Sequence, residues 1–132
     1  MKQYFLDTNI ILRFLLGDVL PQTNKVKEYF QLAKLNKIKL ILIAEVILEA
    51  VYVLEKNYRV PRLKICELLS SLIKTKYLEV EKRAVLITVL QRFHQTKLDF
   101  VDLLLLEQSR LANAPIFTFD KDLEKAALGL PR

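Results

Sequence analysis

The chain has 132 residues, of which 52% are hydrophobic and 27% charged, and these proportions are typical of a globular domain rather than a disordered segment. Its 2 glycines, single histidine and single cysteine exclude glycine-rich nucleotide loops, multi-histidine metal sites and internal disulfides. A formal net charge of +6 favours a polyanionic partner, nucleic acid before an acidic protein, although a surface of solubilising lysines gives the same balance.

Apolar runs of strand length alternate with helical patterns along the whole chain. The predicted elements are a strand over 3–6, helices over 10–16 and 22–35, a strand over 39–43, helices over 44–57 and 61–75, a strand over 77–80, helices over 83–95 and 99–112, a strand over 115–118 and a helix over 121–128. This alternation predicts an α/β fold, a three-layer α/β/α sandwich whose central sheet is mainly parallel. No repeat or linker divides the chain, so we expect a single domain over residues 1–132.

The same composition predicts a cytoplasmic protein. Asp7 interrupts the N-terminal segment before an apolar core develops, so no signal peptide is expected. The apolar runs are too short and too often interrupted by charges to span a membrane. Cys66, the only cysteine, fits a reducing compartment.

Four acidic residues lie where the predicted strands end. Asp7 ends the first strand, Glu45 begins the helix after the second, Asp102 lies in the first turn of the helix before the fourth strand, and Asp120 follows that strand. Ligands of such sheets bind beyond the carboxyl ends of the strands, so we expect these carboxylates to meet at one edge. With so little histidine and cysteine, carboxylates are left to carry any catalysis.

Three of these acids also have a purely structural interpretation. Asp7 and Asp120 fit the N-caps of the helices that follow them. Glu45 shares a helical stripe with Glu49, which a solvated polar face explains. Capping and solvation therefore stay open as alternatives to catalysis.

The fourth acid is harder to explain as a surface residue. Asp99 and Asp102 fit a capping box, but Asp102 also shares a helical face with Leu105 and Leu106, where a charge needs a partner or a metal. Two carboxylates about 5 Å apart repel by about 3 kcal/mol at an effective dielectric constant of about 20. A cluster of four therefore requires a cation, and oxygen ligands select Mg²⁺ or Mn²⁺. Water bound to such an ion attacks phosphodiesters, so the pattern predicts a nuclease.

The segments that hold the four acids resemble the PIN-domain family, in particular the VapC-like toxins of bacterial toxin–antitoxin pairs. In chain order they are residues 5–13 (FLDTNIILR), 44–46 (AEV), 98–104 (LDFVDLL) and 117–122 (FTFDKD). The resemblance covers nearly the whole chain and implies a Mg²⁺- or Mn²⁺-dependent endoribonuclease on a three-layer α/β/α fold. After Asp120 there is room for a short helix and residues 128–132, so the final strand that is common in the family is left open.

The resemblance also implies a role for each acid. Asp7 and Asp102 are the principal metal ligands, Asp120 is a further ligand, and Glu45 and Asp120 position the attacking water or a second ion. Residues expected to hold these carboxylates, or to act as reserve acids, are Thr8, Asn9, Asp99, Thr118 and Asp122.

Partners follow from the same resemblance. It implies an RNA substrate, a homodimer, inhibition by a cognate antitoxin protein, and contact with operator DNA only through that antitoxin. Two rival functions stay open. One is a receiver-like magnesium-binding regulatory module, although only Asp7 ends the first strand where such modules carry paired acids. The other is a nucleic-acid-binding module without catalysis, in which the acids are helix caps.

Overall fold

The computed structural model describes residues 1–129. Within that range the chain forms three strands and seven helices, and none of these helices is long and apolar enough to cross a membrane. In chain order the elements are β1 (Lys2–Phe5), α1 (Thr8–Leu16), α2 (Leu20–Lys34), β2 (Ile38–Leu42), α3 (Ala44–Lys56), α4 (Arg62–Ile73), β3 (Leu78–Val80), α5 (Arg83–Phe93), α6 (Phe100–Ala112) and α7 (Lys121–Leu128).

The three strands form one parallel sheet in the order β1–β2–β3, with helices in each connection. The register places Lys2 opposite Ile38 and Leu40 opposite Leu78. The central strand is β2, and its Leu40 and Leu42 are fully buried because helices flank the sheet. The sheet is thus the middle layer of an α/β/α sandwich, which confirms the predicted fold class.

Local capping explains why the predicted helices form where they do. All seven are present, and their ends lie within two residues of the expected positions. Asp7 accepts a hydrogen bond from the backbone N–H of Ile10 and so caps the start of α1. Gly17, at φ 61°, ends that helix in the left-handed conformation, and Asn113, at φ 50°, ends α6 in the same way.

The predicted fourth strand over 115–118 is wrong. Residues 114–120 make no sheet pairing in the described chain, and Phe117 and Phe119 are 91% and 87% exposed. The β-forming side chains of Ile116 and Phe117 suggested a strand, but strand propensity is realised only against a neighbouring strand. Here the segment is held locally, since the N–H of Ala114 bonds to the carbonyl of Ser109 and the two phenylalanines contact each other edge to face. A final strand after α7 would fall on residues 130–132, outside the described residues.

Packing around α5 fixes the start of α6. Helix α5 lies against both α4 and α6, and its Leu86, Leu90 and Phe93 are fully buried. The ring of Phe93 meets that of Phe100 edge to face, with the ring centroids 5.6 Å apart. Phe100 is the first residue of α6, so this contact anchors the helix turn that carries Asp102.

Candidate active site

Asp7 occupies the point where β1 ends and α1 begins. Its Oδ1 accepts a hydrogen bond from the N–H of Ile10 at 3.0 Å, so the helix cap that the sequence suggested is present. The carboxylate is exposed, and its other oxygen has no hydrogen-bond partner within residues 1–129. Capping and ligand binding are therefore compatible at Asp7, because they use different oxygens.

Thr8 connects this turn to α3. It is buried, and its hydroxyl donates to Oε2 of Glu49 at 2.8 Å. Among the residues expected to hold a carboxylate, Thr8 therefore holds Glu49 and not one of the four predicted acids. Glu49 lies four residues after Glu45, one helical turn further along the same face of α3. Sequence reasoning left Glu49 in a solvated stripe, and that spacing was the signal that could have found it.

Glu45 lies in the first turn of α3 and is exposed, with no hydrogen bond or ion pair inside the described range. The N-terminus of α3 is served by a different acid. The N–H of Ala44 donates to Oε1 of Glu81 at 3.3 Å, and Glu81 follows β3 directly. Acidic side chains thus stand beyond the carboxyl ends of all three strands, which is where ligands of open parallel sheets bind.

Asp102 is the most perturbed carboxylate. It is half-buried in the first turn of α6, and this burial raises the pKa of its carboxyl group, which the negative charges of Asp120 and Asp99 raise further. Asp99 is the N-cap residue of α6, but its side chain makes no capping hydrogen bond, so the expected capping box is wrong. We call Asp99, Asp102 and Asp120 the α6 acid cluster.

Asp120 reaches this cluster from the unpaired segment before α7. Its Oδ1 accepts from the N–H of Leu123 at 3.0 Å and caps α7, while its own N–H donates to the hydroxyl of Thr118 at 3.0 Å. Thr118 therefore fixes the backbone of Asp120 and not its carboxylate. Asp122 is exposed in the first turn of α7, where a negative charge suits the helix dipole. Asn9 is exposed beside Asp7.

Asp7, Glu49 and the α6 acid cluster do not form a complete metal-binding site. Within residues 1–129, no three acidic, histidine or cysteine side chains lie close enough together to hold a metal ion. The described ion pairs also leave the α6 acid cluster, Asp7 and Glu49 without a lysine or arginine partner. Mg²⁺ is usually bound by one or two carboxylates, several waters and substrate phosphates, so oxygen donors without a complete cage fit its chemistry.

A groove of about 630 Å³ adjoins Asp7 along β1, α1 and α2. Its wall includes Tyr4 and Tyr29, whose rings meet edge to face at 5.3 Å, so the fold brings together aromatic residues that are dispersed in the sequence. Arg13 also lines it, and hydrogen bonding to the hydroxyl of Tyr58 raises the pKa of that guanidinium.

Unpaired carboxylates beyond the strand ends of a parallel α/β sheet are compatible with a site for an oxygen-bound cation. Residues 4–128 match the family model for the PIN domain, and the chain belongs to the PIN-domain family. PIN domains are generally metal-dependent nucleases. The matched range includes every acid described above. Comparisons with curated proteins and with solved structures gave no match.

Proposed function

We propose that this PIN domain is an endoribonuclease that depends on Mg²⁺ or Mn²⁺ and cleaves RNA phosphodiester bonds. The observation that carries the proposal is the half-buried carboxylate of Asp102, which lies in the negative field of Asp120 and Asp99. Burial and these two negative charges raise the pKa of the Asp102 carboxyl group, and a bound cation would offset both effects. Hard oxygen donors favour Mg²⁺ or Mn²⁺ over softer metals.

The four predicted acids divide the work. Asp102 and Asp120, whose charges interact, would hold the cation together with bound waters, and Asp7 would reach it through such a water with the oxygen that does not cap α1. Glu45 and Asp120 would orient the attacking water. When bound, the cation neutralises these carboxylates and supplies Lewis acidity toward a phosphodiester.

We add Glu49 to this set. Its Oε2 is fixed by the buried hydroxyl of Thr8, the residue after Asp7, whereas Glu45 has no such support in the described chain. A carboxylate held by a hydrogen bond loses less rotamer freedom when it binds, which favours Glu49 over Glu45 as the α3 acid closest in function to Asp7.

RNA is the substrate that the resemblance implies, and the charge of the chain is compatible with it. The net charge of +6 favours a polyanionic partner. The same charge suits an acidic protein. We propose that the protein is the toxin of a toxin–antitoxin pair, a homodimer in the cytoplasm whose cognate antitoxin blocks the site and carries it to operator DNA. The resemblance of its four acidic segments to VapC-like toxins supports this role.

RNA cleavage by the purified chain tests the nuclease proposal. We expect internal cuts in single-stranded RNA with Mg²⁺ or Mn²⁺ and none after Asp7→Ala, with circular dichroism showing the same fold. Glu28→Gln, an exposed acid on α2, is the matched control and should cleave at the wild-type rate. If RNA binds without being cut, and binds equally well after Asp7→Asn or Asp102→Asn without any metal, the protein is a binding module and the proposal fails.

The toxin role is tested separately in growing cells. Induced expression should arrest growth, Asp102→Asn should not, and co-expression of the protein encoded by an adjacent gene should relieve the arrest. A chain that cleaves RNA in vitro but leaves growth unaffected on induction is a nuclease without a toxin role.

A further inference from the structure

We infer that Arg62 is a positioning residue of the acidic site, because its guanidinium fixes the connection between α5 and α6 and thereby the place of Asp102. The inference deepens the proposed function and rests on it, since it assigns Arg62 a task that matters only if Asp102 binds the cation. Arg62 itself is remote in sequence from every acid of the site.

The guanidinium of Arg62 joins three parts of the chain. Its Nε donates to Oε2 of Glu55, near the end of α3, at 2.6 Å. Its Nη1 donates to the backbone carbonyls of Phe93 at 3.1 Å, Thr96 at 2.8 Å and Leu98 at 2.8 Å. The group also lies over the ring of Phe93, 4.0 Å from its centroid.

The planar guanidinium group suits the backbone carbonyls and the carboxylate that accept its hydrogen bonds. The carbonyl of Phe93 belongs to the last turn of α5, where no helix N–H is available to it, and a cation at a helix C-terminus is favourable. The carbonyls of Thr96 and Leu98 belong to the loop that follows. A planar guanidinium serves carbonyls and a carboxylate at the same time, whereas the ammonium of a lysine is a single point charge on a flexible stem.

Arg62 acts on the position of Asp102 through a short stretch of the chain. Leu98 directly precedes Asp99, the N-cap residue of α6, and Asp102 follows within the first turn. The N–H of Leu98 is itself held by the hydroxyl of Thr96 at 3.2 Å. The loop that Arg62 clamps therefore sets where α6 starts and how Asp102 is placed against Asp120. Loss of a partner that orients a metal ligand lowers metal affinity or activity by about 10- to 100-fold.

Arg83 is the matched control, because it also binds backbone carbonyls but not those of the loop before Asp102. Its guanidinium also donates to backbone carbonyls, those of Thr75 at 3.3 Å and of Leu78. Leu78 begins β3, so this clamp lies at the amino end of a strand, whereas Asp7 follows the carboxyl end of β1. Arg62→Lys removes a guanidinium that binds the loop before α6, and Arg83→Lys removes one that binds the amino end of β3.

The experiment compares the two lysine variants of the full chain in three assays: Mn²⁺ affinity measured with the metal alone by isothermal titration, amide hydrogen exchange over residues 99–103, and the kcat and KM of RNA cleavage. Arg62→Lys should weaken Mn²⁺ binding about 10-fold, speed exchange over 99–103 and lower kcat about 10-fold with KM within about twofold. Arg83→Lys should leave Mn²⁺ affinity and this exchange at wild-type values even if its Tm falls equally.

Equal Mn²⁺ affinity in the two variants at equal loss of Tm overturns the inference, because Arg62 is then only a stabilising residue. If Arg62→Lys does not fold, Glu55→Gln replaces it, since that variant keeps the arginine and weakens only its anchor; a loss of Mn²⁺ affinity of about threefold supports the inference and no loss overturns it. A wild-type chain that cleaves no RNA refutes the proposed function, while a selective change in Mn²⁺ affinity and exchange in Arg62→Lys still supports the positioning of Asp102.

Discussion

The hydroxyl of Thr8 donates to Oε2 of Glu49 at 2.8 Å and so ties the residue after Asp7 to the middle of α3. The two residues are 41 positions apart in sequence, and Thr8 is buried at this contact. The bond places a second carboxylate beside the turn that carries Asp7. Glu49 is thus an acid of the N-terminal half of the chain that is fixed by a hydrogen bond, in addition to the α6 acid cluster near the C-terminus.

Removing the Thr8 hydroxyl should impair cleavage more than it impairs folding. In Thr8→Val the shape of the side chain is kept while Glu49 loses its donor, so we expect kcat to fall about 10-fold or more. Glu49 is exposed and water replaces the lost bond, so the free energy of unfolding should fall by only about 1 kcal/mol. RNA cleavage and urea denaturation measure the two effects. Thr8→Ser keeps the hydroxyl and is the control; equal activity in the valine and serine variants would show that the bond has no catalytic role.

The two acids on α3 should differ in importance. Glu49→Gln should lower kcat/KM by about 100-fold, whereas Glu45→Gln should lower it less, because only Glu49 is held in place by another side chain of the described chain. Glu28→Gln again serves as the exposed control. The measurement is single-turnover RNA cleavage at saturating Mg²⁺. The reverse order of the two variants would return the role to Glu45, as the resemblance implied.

Asp102→Asn should stabilise the metal-free protein while it abolishes cleavage. Burial, together with Asp120 and Asp99, raises the pKa of Asp102 in the folded chain above its ordinary value. A raised pKa means that the folded chain holds this proton more tightly than the unfolded chain, so the stability it contributes is complete at low pH and is lost as the pH rises through the folded pKa. The asparagine variant carries no carboxyl group that must ionise in these unfavourable surroundings, so its Tm should exceed that of the wild type at neutral pH.

Thermal unfolding of both proteins from pH 3 to pH 8 checks this prediction. We expect a Tm advantage of about 1–3 °C for Asp102→Asn at neutral pH that shrinks toward low pH. Adding Mg²⁺ should raise the Tm of the wild type and not that of the variant, because a ligand stabilises only the fold that binds it. A variant that is less stable than the wild type at neutral pH would show that Asp102 already has a favourable partner without metal.

Much of the fold was predictable because it depends on local signals. The side chain of Asp7 and the left-handed Gly17 bound α1, and the two-sided burial of β2 matches its apolar run around Leu40 and Leu42. The failed prediction at 115–118 has a physical cause. The β-forming residues Ile116 and Phe117 resemble a strand in sequence, but a strand exists only if another strand pairs with it, and no sequence window contains that information.

In the candidate site, too, the sequence indicated what depends on local position and missed what depends on contacts between distant elements. The sequence predicted Asp7, Asp102 and Asp120 as site residues, and the fold places Asp120 close enough to Asp102 to raise the pKa of Asp102, although the strand expected before Asp120 does not form. It selected Glu45 and left out Glu49, since both lie on one face of α3 and the contact of Glu49 with Thr8 depends on where α1 packs. The clamp of Arg62 was equally invisible, because its acceptors are backbone carbonyls that any residue supplies.

Cleavage of a labelled single-stranded RNA, followed while the divalent cation is removed and restored, tests the central claim most directly. The wild-type chain should cut internal phosphodiester bonds in Mg²⁺ or Mn²⁺, stop on addition of EDTA, and resume when excess Mg²⁺ is returned, while Asp102→Asn stays inactive throughout. Cleavage that continues undiminished in EDTA, or that survives in Asp102→Asn, would contradict a metal-dependent nuclease built on these carboxylates.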